Sequence, residues 1–269
     1  SFVQREGWPH AMPPEMLAEF TTNVLADPEA MLPRFVGGFN RGDARAKEVT
    51  RQLLDLADPR PPTDVLGAGL AWLRDVDLTP LAPRVAAPTL LVHGAADPLM
   101  PLAAAEALAA LIPHARLAAF GSTRRRDIKV EQDSNVQSLL LADTPVIVIF
   151  GKSWDFHVTD IIRTTLDENL AMIRETLAFF KAQGKEVVYD AEHFFDGYKN
   201  NPDYAVRTLQ AAVDGGADAL VLCDTNGGSF PSEVAEIVGK MAAQFTVPLG
   251  IHAHNDCGMA VANSVIAVE

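Results

Sequence analysis

His252 and His254 stand two residues apart in His252-Ala253-His254-Asn255-Asp256, directly after an apolar run at 247–251. That run reads as a buried strand. Side chains two apart on a strand leave from the same face, so both imidazoles aim at one point beyond its C-terminal end. Two converging imidazoles make half of a divalent metal site. Two buried histidines bonded to backbone carbonyls are the plainer alternative. Polar residues gather in the same way after other apolar runs, in Lys152-Ser153-Trp154-Asp155, in Asp190 with Glu192-His193, and in Asp224-Thr225-Asn226. A carboxylate among them can act as a base when its surroundings tune its pKa.

The elements that must position these groups alternate in type. Strands are expected at 146–150, 187–192, 219–225 and 247–251, and helices at 159–183, 203–214, 232–244 and 259–268. Gly184 supplies a helix stop. Alternation of this kind means βα units and a parallel sheet. Four polar clusters at successive strand ends fit a barrel with one functional mouth. An open doubly wound sheet would also place its site at the carboxyl ends of its strands.

The first 80 residues read as amphipathic helices broken by proline, near 13–20, 31–39, 46–57 and 65–73, with a break at 59–62. Their apolar spacing reads as packing. A strand at 89–94, a turn at 95–101, a helix at 103–111 and a strand at 115–120 follow. Asp97 stands just past a strand, where α/β sheets carry functional loops; an aspartate before proline is equally a turn residue.

A length of 269 residues allows one or two domains and a sizeable core. The net charge of −13 argues against nucleic acid and anionic membranes as partners. No apolar run approaches a membrane span. Cys223 and Cys257 are the only cysteines and form no CxxC pair, which points to a reducing, cytoplasmic setting. The chain opens at Ser1 without a signal pattern and reads as an internal piece of a longer protein. Phe150-Gly151-Lys152-Ser153 lacks the first glycine of a phosphate loop. Asn226-Gly227-Gly228 reads as a turn, and Arg124-Arg125-Arg126 as a solvated or anion-contacting loop.

Two resemblances divide the chain. The segment from Val85-Ala86-Ala87-Pro88 through His93-Gly94-Ala95-Ala96-Asp97-Pro98 resembles the acid-bearing part of α/β-hydrolases. With Phe2-Val3-Gln4-Arg5-Glu6-Gly7-Trp8-Pro9 and the helices after it, residues 1–119 resemble the pimeloyl-carrier-protein methyl ester esterases of biotin synthesis. The resemblance implies a helical lid at 1–80, a strand-turn-helix-strand core fragment at 88–119, and Asp97 as the triad acid that orients a histidine. No Gly-x-Ser-x-Gly elbow occurs in the chain, and no histidine follows the strand at 115–120.

Residues 118–269 resemble the citramalate synthases of the isopropylmalate/homocitrate synthase group. The motifs are Phe120-Gly121-Ser122-Thr123-Arg124-Arg125, Phe150-Gly151-Lys152-Ser153-Trp154-Asp155, Tyr189-Asp190-Ala191-Glu192-His193-Phe194-Phe195-Asp196-Gly197, Leu222-Cys223-Asp224-Thr225-Asn226-Gly227-Gly228 and the His252 run. This resemblance implies an HMGL-like TIM barrel and the condensation of acetyl-CoA with pyruvate on a divalent metal (Mg, Mn or Zn), a step of isoleucine biosynthesis. It implies His252 and His254 as metal ligands, Glu192 as the acid/base group, and Thr225 and Arg124 as substrate-binding residues. The Asp-Gly-x-x-x-Arg-Asp-Gly motif of the family's first strand is absent.

The expected fold is therefore α/β: a partial TIM barrel, strands three to seven of eight, at 120–269, preceded by the hydrolase lid and core fragment. The resemblances meet at Ala119-Phe120, which predicts a fusion of two gene fragments, inactive by itself and marginally stable at its open sheet edges. A carboxylesterase and a non-catalytic fusion fragment are the alternatives. A homo-oligomer is compatible with the sequence, which does not fix the oligomeric state.

Overall fold

The computed structural model describes residues 1–39, 46–56, 62–93, 97 and 99–269. Positions 59–61 of the break expected over 59–62, the end of the helix expected over 46–57, and positions 94–96 and 98 of the expected turn lie outside them. Two compact units divide the chain, Ser1–Arg116 and Leu117–Glu269.

The first unit is helical. Its helices are α1 (Pro14–Ala26), α2 (Pro28–Phe39), α3 (Ala46–Leu56), α4 (Thr63–Asp75) and α5 (Leu102–Leu111). Prolines open α1 and α2, where a missing N–H costs nothing. A 3-10 turn at Thr79–Arg84 leads to the short strand β1 (Leu90–Val92). Trp8, Ala11 and Ala104 form a small buried cluster with Met100, Ala107 and Leu108 against it.

The second unit carries five strands, β2 (Arg116–Ser122), β3 (Val146–Lys152), β4 (Glu186–Glu192), β5 (Ala219–Asp224) and β6 (Leu249–Ala253). They pair in sequence order and all in parallel. Between and after them lie α6 (Ser134–Leu141), α7 (Leu166–Ala182), α8 (Phe194–Asn200), α9 (Pro202–Asp214), α10 (Pro231–Gln244) and α11 (Ala260–Val268).

Alternation along the strands sorts the side chains. Ile147, Ile149, Val187, Tyr189, Ala191, Leu220 and Leu222 face the helices and are fully buried, in one core with Ile173, Leu177 and Phe180 of α7 and Leu209 of α9. On the opposite face Ala118, Val146 and Val148 make a second, smaller cluster with Val188. Further along that face apolar gives way to polar: Lys152 on β3, Asp190 and Glu192 on β4, Cys223 on β5 and His252 on β6. These polar residues thus share one face and one end of a parallel sheet.

Two local readings change. The helix expected over 159–183 is cut. His157–Ile161 is a π-helical turn, Arg163 takes a left-handed φ of 54°, and α7 begins only at Leu166. Thr165 Oγ1 accepts from Glu168 N–H at 3.1 Å, so a hydroxyl that would sit poorly inside a helix caps one instead. Helix α8 was not expected, nor was α6. Buried Asp133 caps it, accepting from Asn135 N–H at 2.9 Å and Val136 N–H at 3.2 Å.

Leu177 sits at the centre of the main core. Leu177→Ala should lower stability by about 2–5 kcal/mol in urea unfolding. A loss below about 0.5 kcal/mol would show that the site collapses around the smaller side chain.

Candidate functional site

The site is built from four strand ends. On β6, His252 pairs in register with Cys223 of β5, and two residues on His254 follows. The two imidazole rings lie 5.0 Å apart, centroid to centroid, with 24° between their planes. The structure therefore brings the two expected ligands together. His252 Nδ1 is 3.2 Å from Asp190 Oδ2 and 3.9 Å from Cys223 Sγ. Asp190 and Cys223 are buried, whereas the His252 side chain is 47% exposed. The Asp190 hydrogen bond, and behind it the Asp190 charge, raises the His252 pKa against the opposing pull of burial. Burial, with Asp190 beside it, pushes the Cys223 thiol up, so the sulfur keeps its proton.

Donor atoms of Asp190, Cys223 and His252 all lie within 4.8 Å of one another, a group that can hold a metal ion. Carboxylate and imidazole donors suit a first-row divalent cation. Asp190 and Cys223 were not singled out as ligands in the sequence. The signal was alternation: Asp190 shares a face with Glu192, and Cys223 with Thr225.

Glu192 stands at the end of β4, in register with Lys152 of β3. Their side chains form an ion pair with Lys152 Nζ 2.5 Å from Glu192 Oε2. Lys152 also lies over the Phe150 ring, 5.9 Å from its centroid. Beside them opens a cavity of about 560 Å³ whose lining includes Ser122, Arg124, Arg126, Phe150, Lys152 and Met172.

Thr225 follows β5. Its Oγ1 accepts from His193 N–H at 2.8 Å, and its hydroxyl hydrogen remains to be donated. His193 holds a left-handed φ of 56°, and its Nδ1 lies 3.1 Å from Asp196 Oδ2, which also accepts from Asn226 Nδ2 at 3.0 Å. Gly227 has a φ of 61°, and a Cβ there would stand 2.7 Å from Asp256 Oδ2 and 3.0 Å from His254 O. The Asn226-Gly227-Gly228 turn is thus fitted against the His254 loop.

Arg124 lines the cavity, yet its guanidinium is committed to Glu168 Oε1 at 2.7 Å and Glu175 Oε2 at 2.8 Å. Its exposed neighbour Arg126 bonds to the Arg163 carbonyl. Asp97 belongs to the first unit. It is a turn residue whose Oδ1 accepts from Leu99 N–H at 2.8 Å and Met100 N–H at 3.0 Å. The Met100 bond is the main cause of its lowered pKa. No histidine hydrogen-bonds to it among the described residues.

A stack of rings flanks Glu192. Trp154 and His157 lie 5.0 Å apart at 17°, and His157 and His193 4.2 Å apart. Trp154 Nε1 and His157 Nδ1 are buried without a hydrogen-bond partner among the described residues. A π-helical turn, a left-handed histidine and two orphaned donors or acceptors together were not legible in the sequence.

The sequence profile of the HMGL-like family matches residues 98–269. The chain belongs to the HMGL-like family. It is 59% identical over 156 residues to the (R)-citramalate synthase of Aquifex aeolicus, covering 58% of this chain and 30% of that protein. It is 54% identical over 158 residues to the (R)-citramalate synthase of Geobacter sulfurreducens, covering 59% and 30%. The citramalate synthase resemblance is borne out, and the chain spans about 30% of the length of these relatives. The HMG-CoA lyase of Bacillus subtilis shares the fold, with a TM-score of 0.51 and 18% identity over 71% of this chain and 65% of that chain. The parallel strands of the second unit are in this respect part of a TIM barrel.

Burial, then the neighbouring His193, holds the His157 pKa below its ordinary value. The unfolded chain, with a histidine pKa of about 6.5, takes the proton more readily than the folded one. Stability from neutral His157 is present above about pH 6.5 and is lost as pH falls through the lowered folded value. Thermal melts should therefore lose stability more steeply just below about pH 6.5 in the wild type than in His157→Phe. Identical pH profiles would refute this.

Proposed function

We propose that the polar ends of β3 to β6 form part of the active site of an acyltransferase that condenses acetyl-CoA with pyruvate, as in a citramalate synthase. The observation that carries this reading is the convergence of His252 and His254, 5.0 Å apart, on the sheet end that also holds the Lys152–Glu192 pair. The (R)-citramalate synthase relatives support it. Within this reading the HMGL-like barrel part runs over about 120–269 and a hydrolase-like segment precedes it.

His252 and His254 would hold a divalent cation, Mg, Mn or Zn. Such an ion, when bound, supplies Lewis acidity toward the carbonyl of a 2-oxo acid. Glu192 takes a proton from the acetyl methyl group. Lys152, at 2.5 Å, holds that carboxylate in place. The methyl carbon then bonds to the oxo carbon of pyruvate, whose oxygen takes up a proton. Water afterwards cleaves the thioester, releasing citramalate and the CoA thiol. Thr225 donates its free hydroxyl hydrogen to the oxo acid's carboxylate, its oxygen already fixed by His193 N–H. The cavity beside Lys152 and Phe150 gives room for the acyl thioester. Arg124, braced by Glu168 and Glu175, shapes that cavity's wall and adds positive charge to it.

Calorimetric titration of the full chain with Mn²⁺ tests the centre. Binding is expected in the wild type and its loss in His252→Ala and in His254→Ala; unchanged affinity in both variants would refute the reading. If the chain releases CoA thiol from acetyl-CoA and pyruvate, Glu192→Gln should lower the rate about 10²–10⁴-fold.

A further inference from the structure

We propose that Asp190 is a positioning residue: it fixes the hydrogen of His252 on Nδ1 and so leaves Nε2 as the nitrogen that meets a divalent cation. The inference rests on the reading of His252 as a metal ligand and adds to it which ring nitrogen ligates and what decides that.

The neighbours of Nδ1 carry the argument. Asp190 Oδ2 lies 3.2 Å from it. An ionised carboxylate only accepts. Cys223 Sγ lies 3.9 Å from the same nitrogen, and its hydrogen has an acceptor elsewhere, Val221 O at 3.9 Å. The Asp190 carboxylate can only accept, and the one other neighbour, the Cys223 thiol, can give its hydrogen to Val221 O, so the hydrogen between Asp190 and the ring belongs on Nδ1. Nε2 makes no hydrogen bond among the described residues and sits on a side chain 47% exposed. Neutral imidazole ligates through the nitrogen that carries no hydrogen. The Nδ1–H form therefore presents its lone pair toward the open side, where the His254 ring stacks 5.0 Å away.

The contact requires the fold. Asp190 is on β4 and His252 on β6, with β5 between them. Alternate strands of a flat sheet stand about 10 Å apart. The curl of the sheet and the reach of two side chains across Cys223 bring the groups to 3.2 Å. Asp190 is itself held by burial, so the contact is a built one. The competing arrangement, one cation held by Asp190, Cys223 and His252 through Nδ1, needs a thiolate.

The test uses the full chain. Long-range ¹H–¹⁵N correlation on the metal-free wild type, with His252 assigned by its absence in His252→Gln, should show the Nδ1–H tautomer. The Nε2–H tautomer, which free histidine prefers in water, would overturn the proposal whatever any variant does. Mn²⁺ titration should then show affinity weakened about 10–100-fold in Asp190→Asn and nearly unchanged in Cys223→Ala. Wild-type binding with undiminished affinity in Asp190→Asn overturns the proposal alone. No Mn²⁺ binding in the wild type overturns it together with the metal reading beneath it. A thiolate charge-transfer band on loading with Co²⁺ would place the cation on Cys223 and overturn it as well.

Discussion

The mouth of the second unit depends on one buried carboxylate, Asp224, only 1% exposed. An ionised group taken out of water is costly unless donors surround it. Asp224 therefore demands a fixed set: Ser229 Oγ donates at 2.9 Å, Ser229 N–H at 3.3 Å, and Asn263 Nδ2 from α11 at 3.4 Å. Its backbone carbonyl accepts from Gly227 N–H at 3.0 Å and His254 N–H at 3.3 Å. One residue thus fastens the loop after β5, the helix after β6 and the second histidine of the pair. The His254 backbone is thereby tied to the end of β5.

The same lacing continues around the strand ends. His193 accepts a left-handed backbone, a conformation that costs about 1 kcal/mol or more for a residue with a Cβ, and in it reaches Thr225 and Asp196. Gly197 lets α8 lie against the loop after β3, since a Cβ there would stand 2.3 Å from Ser153 O. Asp155 in that loop accepts from Asn201 Nδ2 at 2.8 Å. Each loop is tied to its neighbour, so the mouth is braced before any ligand arrives. Such bracing holds the polar side chains of the strand ends at fixed separations.

The strands were legible because each is a short, nearly unbroken apolar run, as a parallel strand covered by helices reads, and β3 is buried along most of its length. The polar ends were legible because each run stops abruptly at a charged or imidazole residue. What joins the ends was not. Nothing in the spacing of Asp190 and His252, 62 residues apart, says that they meet across β5. Arg124 reads as a solvated or anion-contacting arginine, yet it is buried between Glu168 and Glu175, whose place depends on where α7 starts. That start was misplaced because the apolar periodicity runs through 158–166 without a break, while the π-helical turn and Thr165 interrupt the backbone. Helix α6 went unread because it is short and its signal, Asp133 as cap, lies in a polar stretch.

Strand β4 is where the proposed chemistry divides. Asp190 and Glu192 are two residues apart, so both leave the sheet on one face. Glu192 turns toward β3 and meets Lys152; Asp190 turns the other way and meets His252 of β6. A carboxylate that must exchange a proton needs access, and Glu192 lies at the strand's end with its side chain 22% exposed. A carboxylate that must only orient a ring needs none, and Asp190, one pleat deeper, is buried at 6%. Depth along a single strand, set by nothing more than the two-residue repeat, separates the carboxylate proposed for proton transfer from the one proposed for positioning.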